Sequence, residues 1–520
     1  MAHPEAGTLS PEVINIYRLR REFETPSEPL ARVKFGTSGH RGRLGGGFSR
    51  RHAEAIAQAV ARVHAERGIK GPVLVGGDTR LMSAETAEAC AEVLAGNGVH
   101  VLLADIPVPT PVFSLEILSG RAAASLNGTA SHNPPGDMGL KYNPPSGGPA
   151  GAEFTSVIEK YANWCLDDPN IILRLPLSKA RAQGLVTVPD LVSPYLKRLA
   201  EMVDLEIIKS SGLSIGIHPL GGTSIPFYEG LRKEYGLKNL KIVDRTVDPT
   251  FGFIPRDHDG QIRMDPSSPY PMKPLLELAA AGKFDFVGAS DPDADRFGVA
   301  TKASGLFTPN QALCVLAAYL IDNRPNWPST LAIGRTIGTT HLLDRIAAAK
   351  GRKVEEVNVG FKWYVDGIRA DRYLIAGEES AGLSVYRWTA EKDGILAVLL
   401  LAEAMARTKK DLSELYRDIT AAHGSPDYRR VDIAIDDAQR QKIKSMNAAS
   451  LADVKELAGQ KVTGLRDTDG LKIYLEDSWL LARLSGTEPI AKLYGETFKG
   501  PEHLDRLLKE GGALFGLQIS

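Results

Sequence analysis

The strongest constraint on the fold is an alternation of short apolar runs with helical stretches, played through three times. In the first round helices are expected over 50–67 and 84–96 and strands over 72–75 and 100–104, the first strand ending in Gly76-Gly77-Asp78-Thr79-Arg80. Prolines between 107 and 111 break the chain, Thr110 is placed to cap the next helix, and the apolar run 122–126 follows. The second round has strands over 213–217, 241–243 and 284–288 and a helix over 273–281. The third has helices over 309–321 and 340–350 and strands over 331–333, 353–357 and 373–376. Such alternation predicts sheets covered by helices. Each round closes on an apolar strand that opens into a polar loop. The first loop carries Ser131, the second Asp291, Asp293 and Asp295, the third Glu378 and Glu379. The rounds do not match residue by residue, so the echo is one of structure.

From about Tyr428 the pattern becomes one of alternating strands (430–435, 471–475, 479–483, 491–496) and a closing helix from Pro501. A chain of 520 residues is too long for one core. The expected fold is therefore α/β: three mixed-sheet domains over 31–205, 206–308 and 309–427, and a smaller C-terminal α+β domain over 428–520. Residues 1–30 read as an extension with one amphipathic helix over 11–24. The long apolar run 394–406 reads as a buried helix, since it falls short of the ~18–20 residues that span a bilayer.

The loops carry the chemistry. Thr129-Ala130-Ser131-His132-Asn133-Pro134 follows the run 122–126 and lies in a stretch, 127–148, so rich in Gly and Pro that neither helix nor regular strand is expected there. A stiff loop that sets a hydroxyl beside an imidazole presents a candidate nucleophile, Ser131, although Ser-His pairs are common and this one alone decides nothing. Asp291, Asp293 and Asp295 stand at i, i+2, i+4, which in an extended loop puts three carboxylates on one side, and three such charges repel unless a cation lies between them. All-oxygen ligation by few groups suits Mg²⁺. A calcium loop is excluded because position six is Arg296 and position twelve Lys302, where Gly and Glu are required.

Two turns look built for anions. One is Lys34 to Gly42, with His40 and Arg41; the other is Arg483-Leu484-Ser485-Gly486-Thr487-Glu488. Glu378 and Glu379, followed by Ser380, can act as acids or bases or bind sugar hydroxyls. Lys362, in Gly360-Phe361-Lys362-Trp363, is a surface lysine or a proton carrier. Together these are the parts of phosphoryl transfer: an attacking oxygen, a metal, and arginines that neutralise charge. No P-loop or kinase glycine loop is present, so a serine that itself carries the phosphoryl group fits better than ATP.

Composition narrows the partners. Net charge is 62 − 63 = −1 with no charged block, which argues against nucleic acid and membrane surfaces and for a small-molecule substrate held by local charge. Cys90, Cys165 and Cys314 form no CxxC, and the N-terminus lacks a signal-peptide pattern; a cytoplasmic protein without zinc is expected.

The chain resembles the α-D-phosphohexomutase superfamily and, within it, the bacterial glucose-specific phosphoglucomutases. The resemblance rests on Phe35-Gly36-Thr37-Ser38-Gly39-His40-Arg41-Gly42, Thr129 to Pro134 with Lys141-Tyr142-Asn143-Pro144-Pro145, Asp291 to Gly298, Gly360 to Trp363, Gly377 to Gly382, and Arg483 to Glu488. It implies four domains around a central cleft and a Ser131 that is phosphorylated in the active enzyme. It implies Mg²⁺ held by Asp291, Asp293, Asp295 and an oxygen on Ser131. The reaction implied is interconversion of α-D-glucose 1-phosphate and glucose 6-phosphate through glucose 1,6-bisphosphate. By the same resemblance Glu378 and Ser380 hold sugar hydroxyls, and Arg483, Ser485, Gly486 and Thr487 hold the phosphate that is not reacting. Arg41 and Arg296 serve the reacting end, and His132 and Lys362 are acid and base in an order left open. Glu379 and Ala381-Gly382 favour the glucose enzymes over mannose and glucosamine mutases, while Phe297 and Pro489 depart from the usual pattern. Rival readings are a dual glucose/mannose mutase and a silent, phosphorylatable homologue. A monomer and a homodimer are both compatible with the sequence.

Overall fold

The computed structural model describes residues 2–36, 39–485 and 489–519. Three of its four sheets share one topology. In the first, the parallel strands run Val101–Leu103, Val73–Gly77, Ala124–Gly128 side by side, and Asp137–Asn143 adds antiparallel to the last. The second sheet repeats this with Leu240–Ile242, Ile215–His218 and Phe286–Ser290 parallel and Phe297–Thr301 antiparallel. The third repeats it with Val354–Val357, Ala332–Thr336 and Tyr373–Gly377 parallel and Leu383–Val385 antiparallel. Short edge strands, His40–Arg43 and Val186–Thr187 in the first sheet and Gly305–Phe307 in the second, decorate this frame.

The threefold echo in the sequence is thus a threefold repeat of topology. In each sheet the flagged loop is the hairpin that turns the last parallel strand back into its antiparallel partner. The parallel strands are buried along their whole length in most cases, which is why they read as unbroken apolar runs. The sequence predicts mixed sheets but places no strand at the positions of these antiparallel partners. Asp137–Asn143 is a regular seven-residue strand inside a stretch expected to hold none. It fits between Pro135 and Pro144, so no residue within it lacks a donor, and Gly139 allows the close approach: a Cβ there would lie 2.7 Å from the Thr129 carbonyl oxygen.

The fourth sheet is wholly antiparallel, in the order Asp427–Ala434, Ile490–Thr497, Ser478–Leu484, Leu471–Leu475, Gln460–Arg466, Glu456–Leu457. Helix Pro501–Leu514 covers it, burying Leu504, Leu507 and Leu508.

Helix Gly394–Thr408 joins the second and third units. It is apolar on every face because it is buried on every face, in the large core that it shares with helices Thr110–Leu118 and Val192–Met202. Its one acidic residue, Glu403, accepts from Tyr319 Oη at 2.5 Å, Arg324 Nη2 at 2.9 Å and the Asp204 amide at 2.9 Å. Among the described residues no helix is long and apolar enough to cross a membrane.

The first helix begins at Ile16 rather than at 11, capped by Asn15 at the Arg18 amide. The preceding residues are drawn elsewhere: His3 and Gly7 donate from their backbone to His258 and Arg256. The stretch 34–42, expected as a turn, runs at its end into the strand His40–Arg43.

Candidate active site

Ser131 sits just past strand Ala124–Gly128 with φ 55°, a left-handed conformation that costs a serine about 1 kcal/mol or more. The other two hairpin loops contain the same device, Ala294 at φ 53° and Ala381 at φ 70°. Three loops of equivalent topology are each held in a strained conformation, which requires the surroundings to over-determine them.

For the serine loop those surroundings are visible. Thr129 Oγ1 accepts the Ser131 amide at 2.8 Å and donates to Asp78 Oδ2 at 2.6 Å. Asp78 also holds Arg80 Nε at 3.0 Å, and both side chains are fully buried. Arg80 then donates to the Asp137 carbonyl at 2.7 Å and to the carbonyl of Ser131. A buried guanidinium is committed to loop carbonyls, so the loop is pinned from beneath. Arg41, on the edge strand, reaches the Ala130 carbonyl at 3.3 Å.

The Ser131 hydroxyl donates to Asp291 Oδ2 at 2.6 Å and lies 3.3 Å from His132 Nδ1. Asp291, Asp293 and Asp295 are buried and turn one oxygen each toward a common point, these atoms lying within 4.8 Å of one another. They converge through a turn at Ala294 and not through the extended loop expected. Lys141 Nζ bonds Asp293 at 2.6 Å and Asp295 at 2.9 Å, and Lys392 Nζ lies 3.1 Å from Asp295. Thr110 Oγ1 donates to Asp293 at 2.6 Å; it does not cap its helix, which starts at Thr110 itself. Asp293 Oδ1 and Asp295 Oδ1 are buried without a hydrogen-bond partner.

The electrostatics follow. Burial, then Asp293 and Asp295, push the Asp291 carboxyl far above its ordinary range. Burial would also raise Asp293, but Lys141 outweighs it and holds that group well below the usual range. Three buried carboxylates, with one oxygen of Asp293 and one of Asp295 left unpaired, are an all-oxygen donor set of the kind that holds a small hard cation such as Mg²⁺.

Beside the triad, Arg296 donates to Asp265 Oδ2 at 3.3 Å, and His132 Nε2 lies 4.0 Å from the same oxygen. Burial and the neighbouring Arg296 push His132 down to about 3. Burial alone would raise Asp265, but its neighbours His132 and Arg296 hold the carboxyl below its ordinary range.

The third loop lies against the stem of Lys392, which packs on Gly382. Lys392 connects it to the triad, and Phe297 donates from its backbone to the Ala381 carbonyl at 3.2 Å. Glu378 is buried, accepts the Gly360 amide at 3.1 Å and is within 3.4 Å of Ser380 Oγ; burial raises its carboxyl despite Lys392. Glu379 has a different place. It accepts from Thr336 Oγ1 at 2.7 Å and Thr339 Oγ1 at 3.1 Å and braces its own sheet, so the two glutamates have separate surroundings. Lys362 is half-buried in a 3₁₀ turn, Phe361–Trp363, with Nζ 5.4 Å from the Trp363 ring centre. Arg483 ends the strand Ser478–Leu484 with Nε 2.9 Å from Asp469, and the Ser485 amide donates to the Ile490 carbonyl. Gly486 and Thr487 lie outside the described residues.

The structure thus gathers Ser131, His132, Arg41, the three aspartates and Arg296 into one cluster, with Glu378 and Ser380 on the adjoining loop. Sequence reading gave no role to Asp78, Lys141, Asp265 or Lys392, and took Thr110 for a cap. Lys141 and Asp78 stood within quoted motifs, but nothing local shows that Lys141 meets an aspartate 152 residues away.

Comparison with known proteins agrees with this geometry. Four models of the phosphoglucomutase/phosphomannomutase family match: α/β/α domain I at 32–164, domain II at 193–305, domain III at 308–423, and the C-terminal domain at 438–510. A phosphoglucomutase from Komagataeibacter xylinus is 40% identical over 96% of this chain and 94% of its own. A crystal structure from Thermus thermophilus, provisionally described as a phosphomannomutase, superposes with TM-score 0.77 and 30% identity over 94% of this chain and 99% of its own. The fold extends to Aspergillus fumigatus N-acetylphosphoglucosamine mutase in complex with GlcNAc-6P and magnesium, at TM-score 0.54 and 14% identity over 97% and 99% of the two chains. The four matches together run from residue 32 to residue 510, and the chain belongs to the phosphoglucomutase/phosphomannomutase family.

Proposed function

We propose that this isomerase interconverts α-D-glucose 1-phosphate and glucose 6-phosphate, with Ser131 as phosphoryl carrier and glucose 1,6-bisphosphate as intermediate. The observation that carries the reading is the Ser131 hydroxyl set 2.6 Å from Asp291 inside the buried aspartate cluster.

In this reading Asp291, Asp293 and Asp295 hold Mg²⁺ with an oxygen on Ser131, and the ion supplies charge neutralisation to the transferring group. Arg41 and Arg296 share that work from the protein side. Asp265 orients Arg296 and keeps His132 in place, and Arg80 and Thr129 keep Ser131 in a conformation that points its oxygen at the cluster. The phosphoryl group leaves Ser131 for the free hydroxyl of the sugar monophosphate; one of His132 and Lys362 takes that hydroxyl's proton and the other gives a proton to the Ser131 oxygen. The bisphosphate then turns over in the site and its other phosphoryl group passes back to Ser131, releasing the isomeric monophosphate and restoring the phosphoserine. Glu378 and Ser380 bind hydroxyls of the sugar, and Arg483, Ser485, Gly486 and Thr487 hold its other phosphate. The A. fumigatus relative, crystallised with GlcNAc-6P and magnesium, supports a sugar phosphate and this metal. The likeness to a chain described as a phosphomannomutase favours a second reading, a dual glucose/mannose mutase with the same machinery. The expected workplace is the cytoplasm.

The test is intact mass and peptide mapping before and after incubation with glucose 1,6-bisphosphate and Mg²⁺. One phosphate on the Ser131 peptide, lost on addition of glucose 1-phosphate, is the expected result. A Ser131 that the bisphosphate leaves unmodified would end the reading. Parallel assays with mannose 1-phosphate decide between the two substrate readings.

A further inference from the structure

Asp469 belongs to no motif, yet its carboxylate stands between two parts of the site. It lies in the turn Asp467-Thr468-Asp469-Gly470, which joins strands Gln460–Arg466 and Leu471–Leu475. An aspartate before glycine in a hairpin is ordinarily a turn former and keeps its oxygens within its own turn. Here both go elsewhere. Oδ1 accepts Arg483 Nε at 2.9 Å, and Oδ2 accepts the Val359 amide at 2.7 Å, 110 residues away. The next amide along, that of Gly360, donates to Glu378 Oε1 at 3.1 Å.

We propose that Asp469 is a positioning residue that couples the phosphate turn to the sugar loop: one carboxylate orients the Arg483 guanidinium and, through Val359 and Gly360, the Glu378 side chain. The proposal rests on the reading of Arg483 and Glu378 under Proposed function.

Two further observations support it. Gly470 has φ 92°, and a Cβ there would lie 2.5 Å from the Ala482 carbonyl oxygen and 3.2 Å from Arg483 Cβ, so the turn is pressed flat against the arginine it orients. The rest of the turn grips the same segment of the third unit. Arg466 Nη2 donates to Asn358 Oδ1 at 2.7 Å, Thr468 Oγ1 to the same oxygen at 3.1 Å, and Arg466 Nη1 to Glu356 Oε1 at 2.7 Å. That clasp persists without Asp469, so removing one charge leaves the two units docked. It changes the aim of Arg483 and the footing of Glu378 together. Binding of phosphate at one and of sugar at the other is then a single event.

The experiment is calorimetric titration of glucose 6-phosphate and of inorganic phosphate into the wild-type protein, Asp469→Asn, Glu378→Gln and the double variant, with melting temperatures alongside. Glucose 6-phosphate is expected to bind Asp469→Asn about tenfold more weakly, the size of one lost charge-assisted hydrogen bond, at an unchanged melting temperature. Inorganic phosphate weakens likewise. The losses from Asp469→Asn and Glu378→Gln are expected to be less than additive. Unchanged affinity in the folded variant, or strictly additive losses, would overturn the proposal. Should Asp469→Asn fold poorly, Asp469→Glu, which keeps the charge and moves it by one methylene, is expected to weaken glucose 6-phosphate in the same direction; wild-type affinity there overturns it equally. Binding needs no turnover. A wild-type protein that binds glucose 6-phosphate but never carries phosphate on Ser131 defeats the mutase mechanism and leaves this test standing, while a wild-type protein that binds neither ligand defeats both.

Discussion

Ser131 Oγ donates to Asp291 Oδ2 at 2.6 Å across 160 residues of sequence. The serine comes from the hairpin loop of the first sheet and the aspartate from the equivalent loop of the second. One bond therefore joins two copies of the same topological position, and the chemistry assigned to the site lies where the copies meet.

Ser131 separates chemistry from strain. Ser131→Ala and Ser131→Gly both lose the hydroxyl, and mutase activity is expected to fall by about a thousandfold or more in each. The two differ in stability. Alanine retains the left-handed cost at φ 55°, whereas glycine does not, so Ser131→Gly is expected to be more stable than Ser131→Ala by about 1 kcal/mol. Urea denaturation of the pair checks this.

The aspartate cluster is expected to couple metal to stability. Adding Mg²⁺ to chelator-treated protein should raise its melting temperature, because the ion binds only the folded cluster. Asp293→Asn removes a donor that Lys141 holds ionised, and should abolish most of that rise together with activity. A variant that keeps the full Mg²⁺-dependent shift would show that the ion binds elsewhere.

The two glutamates of the third loop should separate cleanly. Glu378→Gln alters a buried carboxyl beside Ser380 and the Gly360 amide, and is expected to lower kcat/KM by about ten- to a hundredfold with little loss of stability. Glu379→Gln weakens the brace to Thr336 and Thr339, and should lower stability by about 1–2 kcal/mol while leaving KM within about twofold. Kinetics and melting curves of both variants decide this.

Acid should destabilise the first unit through its buried histidines. Burial pushes His52 and His64 down to about 4. Between pH 6.5 and 4 the unfolded chain takes up protons at these groups that the folded chain refuses, so stability falls as pH drops through that window. Each histidine contributes about 1–3 kcal/mol. Unfolding free energies at about pH 7 and about pH 4.5 measure the loss, and His64→Gln should make the slope shallower.

Much of this protein was legible without coordinates. The three rounds of strand and helix are present because parallel strands buried on both faces must be apolar throughout, and the helix over 50–67 matches residue for residue. Ser131 and the three aspartates were legible because they stand in short, unusual loops. The antiparallel strands were not. Asp137–Asn143 and Leu383–Val385 are flanked by Pro or Gly, and become strands only because a neighbouring strand offers them a ladder.

The sequence by itself determined the order of the elements, the fourfold division and the residue types offered at each loop, since these follow from local periodicity and local chemistry. Only the tertiary structure decided what each loop meets. It assigned Lys141 and Thr110 to Asp293, Arg80 to the underside of the serine loop, Asp265 to Arg296, and gave Glu378 and Glu379 different surroundings. Contacts between residues scores of positions apart depend on how whole sheets pack, and no local pattern of side chains encodes that packing.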